Sequence, residues 1–378
     1  MGVPSGGGLE DTSAGAAGAG GAAPGGAGTV DYFDDSTQHL ATASIGQLPG
    51  PLPVGWQVSG SYYREDQSQL DGRIEDYYVR GDLTVPVSAT LAIVGGAGYE
   101  KVEVSERDVV RDPITNAPVV GSDGRFVTDR DSPRLTSFTT DGLLWDVGVL
   151  WRPSSRTSLE ARVGERYGST TYYGSLSWAA NSRTGVNVSV YDRVSGFGGL
   201  INDAVASLGD GFDVSRDPFT GDLEGCAVGS DGAACFGSVF QGARSASFRA
   251  RGVTASISTR GTKWSYGAAL GYQNRKYYAS DLGGQATISG TEDDVIFAAL
   301  SAGRPVGSNA SIGFNAYANA FNPALGDNVY AFGANATYGQ ELMRNLSLRA
   351  ALGIDSVDYK DIEDQVTASG LVGVRYGF

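Results

Sequence analysis

The chain contains one histidine, His39, and two cysteines, Cys226 and Cys235, in 378 residues. A lone histidine excludes a multi-histidine metal site and leaves Ser-His or Cys-His catalysis without a base in any structured region. Two cysteines cannot build a four-cysteine zinc site. Lysine is nearly absent, and 28 basic residues stand against 42 acidic ones, for a net charge of −14. A nucleic-acid partner needs a basic face to displace counterions, so that class is excluded. No run of about 18 apolar residues occurs, so no membrane-spanning helix is expected. Nor does any convincing amphipathic helix appear. These absences point away from an enzyme and away from a bound cofactor.

Glycine and tyrosine are abundant, with 56 Gly and 19 Tyr. Residues 1–50 form a Gly/Ala-rich tail with five acids (Glu10, Asp11, Asp31, Asp34, Asp35) and no lysine or arginine. Such a stretch buries too little apolar surface to offset its ordering entropy, and is expected to serve as a tether, plug or inter-protomer arm. It lacks the charged start and apolar run of a signal peptide, so an export signal is expected to precede this numbering. Gly18-x-Gly20-x-x-Ala23 matches a dinucleotide fingerprint in form only, because no strand precedes it and no helix follows.

From Val54 onward the sequence alternates. Trp56, Val58, Gly60 and Tyr62 interleave with Gln57, Ser59, Ser61 and Tyr63, and Val186, Val188 and Val190 interleave with Asn187, Ser189 and Tyr191. Each such run fits a strand with one apolar and one polar face. Fourteen strands are expected, near 54–65, 75–86, 89–104, 138–152, 156–167, 170–181, 185–196, 243–259, 262–276, 293–304, 308–321, 328–340, 345–356 and 365–378. Many have the roughly 9–11 residues that cross a bilayer when tilted. Short joints alternate with long ones, the longest being 105–137 and 197–242; the short joint at Arg166–Ser169 breaks the rule.

This arrangement predicts an all-β fold: a transmembrane antiparallel up-and-down barrel of about 14 strands over 51–378. An even count returns both termini to the short-turn side. Closure pairs every backbone group within the protein, and lipid takes the place of half the core. A soluble β-sandwich competes, but its second faces would need large interior side chains where this sequence places Gly, Ser, Asn, Thr and Arg. At the carboxyl end Val374, Tyr376 and Phe378 share the apolar face and resemble the signal by which outer-membrane barrels are inserted. The expected location is the outer membrane of a Gram-negative bacterium. The expected partners are membrane lipid, lipopolysaccharide, the insertion machinery and further copies of the chain.

Trp151-Arg-Pro-Ser-Ser-Arg-Thr-Ser-Leu159, Gly164-Glu-Arg-Tyr-Gly168 and Tyr172-Tyr-Gly-Ser-Leu-Ser-Trp178 resemble a family of proteobacterial outer-membrane barrels linked to PEP-CTERM and exopolysaccharide sorting. The likeness covers Trp145 to Arg193 and implies location and fold only. That family has no assigned activity, so no functional residue carries over.

Arg80, Arg162, Arg166, Arg249, Arg251 and Arg349 fall on the polar faces of the strands, with Asp82, Asp146 and Glu160. Arginine is always charged, so these residues either select solutes or form ion pairs that fill the lumen. Two long loops share a motif: Arg111-Asp-Pro-Ile-Thr115 then Val120-Gly-Ser-Asp-Gly124, and Arg216-Asp-Pro-Phe-Thr220 then Val228-Gly-Ser-Asp-Gly232. Asp-Pro and Asp-Gly both favour turns. Cys226 and Cys235 lie in the second loop, where an exported protein most simply forms a disulfide. The tail and 197–242 carry 11 of the 14 net negative charges. Asp213, Asp217, Asp222 and Glu224 are Ca2+ or Mg2+ ligand candidates, set against a merely solvated acidic face. Two roles follow. One is a porin-like passive channel for small hydrophilic solutes, since about 14 strands lie between a filled barrel and a wide pore. The other is a structural or surface-assembly barrel that joins copies through its acidic loops and tail, with divalent cations.

Overall fold

The computed structural model describes residues 35–378 apart from 51–52, 123–124, 197, 201, most of 203–245, 281–287, 360–361 and 377–378. The strands are β1 (Ser36–Gln47), β2 (Gly55–Gln67), β3 (Arg73–Pro86), β4 (Leu91–Glu106), β5 (Leu135–Ser154), β6 (Thr157–Arg166), β7 (Ser169–Asn181) and β8 (Thr184–Ser195). After these come three short strands, β9 (Asp213–Val214), β10 (Cys226–Val228) and β11 (Ala233–Cys235). The chain finishes with β12 (Ser247–Arg260), β13 (Ser265–Tyr278), β14 (Glu292–Val306), β15 (Ala310–Asn322), β16 (Val329–Met343), β17 (Leu346–Tyr359) and β18 (Ile362–Tyr376).

Fifteen strands form one antiparallel sheet in chain order, from β1 to β8 and on from β12 to β18; β9–β11 form a separate small sheet. The fold is therefore all-β and up-and-down, as the alternation predicts, with one strand more than the fourteen expected. The extra strand is β1, which lies in the stretch expected to be tail. It was hidden because it lacks a clean apolar face: Leu40 and Ile45 are an odd number of residues apart and point to opposite sides. The odd count also places Ser36 opposite Gln67, at the long-loop end, while the carboxyl end lies at the short-turn end. Among the described residues no pairing joins β1 to β18.

Contacts between distant strands show the curl. Arg162 on β6 reaches Asp82 on β3 at 3.0 Å. Three steps of a flat sheet would separate their backbones by about 14 Å. A cluster near the long-loop end gathers Ile74, Val102 and Val104 from β3 and β4 with Tyr167, Val194 of β8 and Tyr278 of β13.

The outer face carries large apolar side chains in the open. Along β5 they are Leu143, Trp145, Val147, Val149 and Trp151, and Leu143 is 70% exposed. Val79, Leu300, Leu352 and Val372 continue the surface round the sheet. Soluble monomers rarely expose contiguous apolar patches beyond a few hundred Å2. This surface has edges. Trp56, Trp151, Trp178 and Trp264 lie toward the short turns. Toward the long loops, outer-face tyrosines donate to carboxylates: Tyr62 to Glu75 at 3.3 Å, Tyr272 to Asp294 at 2.6 Å, and Tyr99 to Asp141. From Asp141 to Trp151 is one bilayer-crossing length of strand. Aromatic belts of this kind flank a hydrocarbon zone.

Candidate functional site

The inner face of β3–β7 holds a paired set of charges. Arg80 and Asp82 lie two residues apart on β3 and so share a face. Arg80 Nη2 lies 2.6 Å from Asp82 Oδ1 and 2.8 Å from Asp146 Oδ2 on β5. From β6, Arg162 Nη1 meets Asp82 at 3.0 Å and Asp146 at 2.9 Å, and its Nε meets Glu160 at 2.7 Å. Tyr173 of β7 donates its hydroxyl to Asp146 at 2.8 Å. Asp146, 3% exposed at its side chain, is the hub.

Glycine makes room for this packing. Gly98 is the register partner of Arg80, and Gly148 that of Arg162. A Cβ on Gly98 would stand 2.6 Å from the Cβ of Arg80, and one on Gly148 would stand 2.7 Å from the Cγ of Arg162. Long side chains thus lie flat across neighbouring strands where no side chain opposes them.

Toward the long loops, Arg166 bonds Glu100 at 2.5 Å and Asp76 at 3.2 Å. Above it the β6–β7 hairpin turns through Tyr167 and Gly168, at φ 55° and 69°. Both central residues of a tight two-residue hairpin take positive φ. A tyrosine there is strained, and its ring is held in the cluster with Ile74, Val102 and Val194. Arg166 and Arg249 stand over that ring at 4.5 and 4.9 Å. Beside it, Glu65 of β2 accepts the backbone N–H groups of Gly196 and Gly199 at 3.1 and 3.2 Å. The hairpin tip packs against β3, β4 and β8 toward the long-loop end, and Gly196 and Gly199 are fastened there to β2.

Two cavities flank the paired charges. One of about 770 Å3 runs from the short-turn end, past Pro86, Leu91 and Arg152, to Arg80, Arg162 and Tyr173. A second of about 340 Å3 lies beyond, between Arg80, Tyr173, Arg166 and Arg193. Arg80 and Tyr173 line both. The arrangement is a polar waist in which two arginines meet three carboxylates.

Of the six arginines expected to face the lumen, Arg80, Arg162 and Arg166 are brought together here. Arg249 and Arg251 are not. They share a strand face with Val253, Ala255 and the exposed Ile257, the outer row of β12, and are held by Asp192 at 2.7 and 3.3 Å. Arg349 stands exposed on the inner face of β17, with no ion pair among the described residues. Val374 and Tyr376 are exposed on the outer face of β18, and Phe378 lies outside the described residues. Asp217, Asp222 and Glu224 also lie outside them, and of Asp213 only the backbone is described. Cys226 and Cys235 are register partners in the β10–β11 ladder.

Asp76, Glu100 and Tyr173 were not singled out by the sequence, although Glu100 and Asp76 follow the inner-face alternation. In the loop 107–134, Asp112 Oδ1 accepts the N–H groups of Ile114 and Thr115 at 2.9 and 2.8 Å and the Thr115 hydroxyl at 3.0 Å. These bonds hold its carboxyl below the usual range. The Asp-Pro motif at 112–113 does start a turn; its repeat at 217–218 lies outside the described residues.

No family model and no curated protein matches this chain. Among solved structures it is similar to the siderophore receptor PirA from Pseudomonas aeruginosa (12% identity, TM-score 0.37), covering 90% of this chain and 59% of that one. It is similar to an anion-selective porin from Comamonas acidovorans (12% identity, TM-score 0.28), covering 91% of this chain and 100% of that one. OmpT of Vibrio cholerae gives 8% identity and TM-score 0.31, covering 91% of this chain and 96% of that one. The chain thus spans under two thirds of the receptor's length. At these values the likenesses assign no activity, and the exopolysaccharide-linked resemblance of residues 145–193 gains no support from them.

Proposed function

We propose that the chain is an outer-membrane β-barrel of a Gram-negative bacterium, non-enzymatic, and that small hydrophilic solutes pass through it by way of the charge-paired waist. The observation that carries this reading is the pair of cavities meeting at Arg80 and Tyr173. Lipid and lipopolysaccharide are its surroundings, and the insertion machinery its assembly partner. A waist of paired fixed charges slows solutes of either sign less than a bare arginine ring would slow cations. Pure folded protein in a planar bilayer tests it: small discrete conductance steps are expected, and their absence overturns the channel.

One observation favours the second reading, a surface-assembly role. The loop 107–134 folds on itself through the bridges Val109–Thr128, Arg111–Pro118 and Val120–Phe126, and presents Ile114 at 91% exposure. Crosslinking of native membranes with and without chelator tests it. Monomers indifferent to chelator count against assembly through divalent cations. We also propose that Cys226 and Cys235 form a disulfide. Register partners in an antiparallel ladder have Cα atoms about 4.5–5.5 Å apart, within the span a disulfide bridges.

A further inference from the structure

The outer wall of β12–β16 holds a concavity that the waist does not use. Its volume is about 630 Å3 and its lining is apolar. The register explains its shape. Tyr266, Ala302 and Phe314 lie side by side on β13, β14 and β15, with the small Ala302 between two exposed rings, and Leu300 one outward position further along. A trough therefore runs along β14 between the rings, at a level the aromatic belts place within the hydrocarbon.

At its short-turn end stands a cation. Arg304 follows Ala302 on the outward row, and its guanidinium lies 5.7 Å over the Trp264 ring. Trp264 in turn stacks on Tyr266 at 6.0 Å and Phe314 at 6.2 Å. Arg304 Nε is buried with no hydrogen-bond partner among the described residues. Lys263 is exposed in the adjoining turn. From Val295 to Gly326 the sequence has no acidic residue, so β14 and β15 offer Arg304 no carboxylate over their short-turn halves. An unpaired guanidinium held flat by an aromatic face is a site for a phosphate oxygen.

We infer that this trough is a lipid site: one acyl chain of an anionic glycerophospholipid lies between Tyr266 and Phe314 over Ala302, and its phosphate meets Arg304. The inference rests on the membrane-spanning reading. It adds that the protein selects a lipid by headgroup charge at one place on its wall.

The test uses full-length refolded protein and native mass spectrometry, with phosphatidylglycerol and phosphatidylcholine as separate probes at equal concentration. Wild type is expected to retain one phosphatidylglycerol several-fold more than phosphatidylcholine. Arg304→Gln should bring the two to parity, Arg304→Lys should keep most of the preference, and Ala302→Leu should reduce both adducts by filling the trough. Equal retention of phosphatidylglycerol by wild type and Arg304→Gln overturns the proposal. So does an Ala302→Leu variant that turns a dimer into a monomer with lipid adducts unchanged, since the occupant is then a second copy. Insertion into vesicles is measured in parallel. Protein that inserts but shows no preference defeats the lipid site alone, and protein that fails to insert defeats the membrane reading with it.

Discussion

Arg275 and Asp293 face each other across the β13–β14 ladder as a bidentate pair, 2.7 and 3.0 Å long, with both side chains 1% exposed. Tyr277 adds its hydroxyl to the same carboxylate at 2.5 Å, and the rings of Phe248 and Phe321 flank the guanidinium at 5.7 Å. A buried pair this complete is costly to break from one side, because the remaining charge has no partner. Asp293→Asn or Arg275→Gln is expected to lower unfolding free energy by about 3–5 kcal/mol. The double variant Arg275→Met with Asp293→Leu should recover most of it. Urea unfolding of the refolded protein measures all three, and a double variant as unstable as the singles contradicts the account.

Tyr167 fills the cluster near the long-loop end with a ring placed by a strained backbone. Replacing it with glycine relieves about 1 kcal/mol of left-handed strain but removes the ring from the cluster. Single-channel conductance of Tyr167→Gly is expected to exceed wild type, while Tyr167→Phe stays close to it. A glycine variant that conducts no better places the barrier elsewhere.

At the waist, Asp146 compensates two arginines. Asp146→Asn leaves Arg80 and Arg162 with less negative charge beside them, so selectivity should move toward anions. Reversal potentials in a salt gradient read this directly, and a shift toward cations contradicts the placement of the network in the conducting path.

Asp112 gives a pH dependence. Its carboxyl is held low by the Thr115 and Ile114 N–H groups, so the ionised form is the folded turn's form. The contribution is complete above the ordinary carboxylate range, near 3.9, and is lost as pH falls through the depressed folded value. Proteolysis of the 107–134 loop should be slow at neutral pH and rise in acid. Asp112→Ala should be cut readily at both.

For the cysteines, thiol labelling of protein exported under oxidising conditions is expected to find none before reduction and two after. Closing the eight-residue interval contributes about 2–3 kcal/mol by constraining the unfolded chain. Two labelled thiols without reductant remove the disulfide.

Strand number and order were almost fully legible, because period-two alternation is a property of single strands. β1 escaped because His39, Leu40, Thr42 and Ile45 mix both characters on both faces. The waist was half legible. Arg80, Arg162 and Arg166 could be picked out by face, but their acid partners sit on strands up to three ladder steps away, and curvature, not spacing, brings them together. Arg249 and Arg251 show the opposite failure. They look like lumen arginines until the register with Asp192 and Val190 places them on the outward row, at a level where that row is covered by the β6–β7 turn. The one clue to Tyr167 was a short joint where a long one was due.

The central claim is that one face of this sheet meets lipid while the other lines a polar path. Spin labels placed one at a time along β5, at Leu143, Leu144, Trp145, Val147, Val149 and Leu150 in a Cys226→Ser/Cys235→Ser background, test it in bilayers. Period-two accessibility is expected, with oxygen reaching Leu143, Trp145, Val147 and Val149 and a water-soluble relaxant reaching Leu150, which lines the larger cavity. Uniform accessibility, or water at Leu143 and Val147, contradicts it.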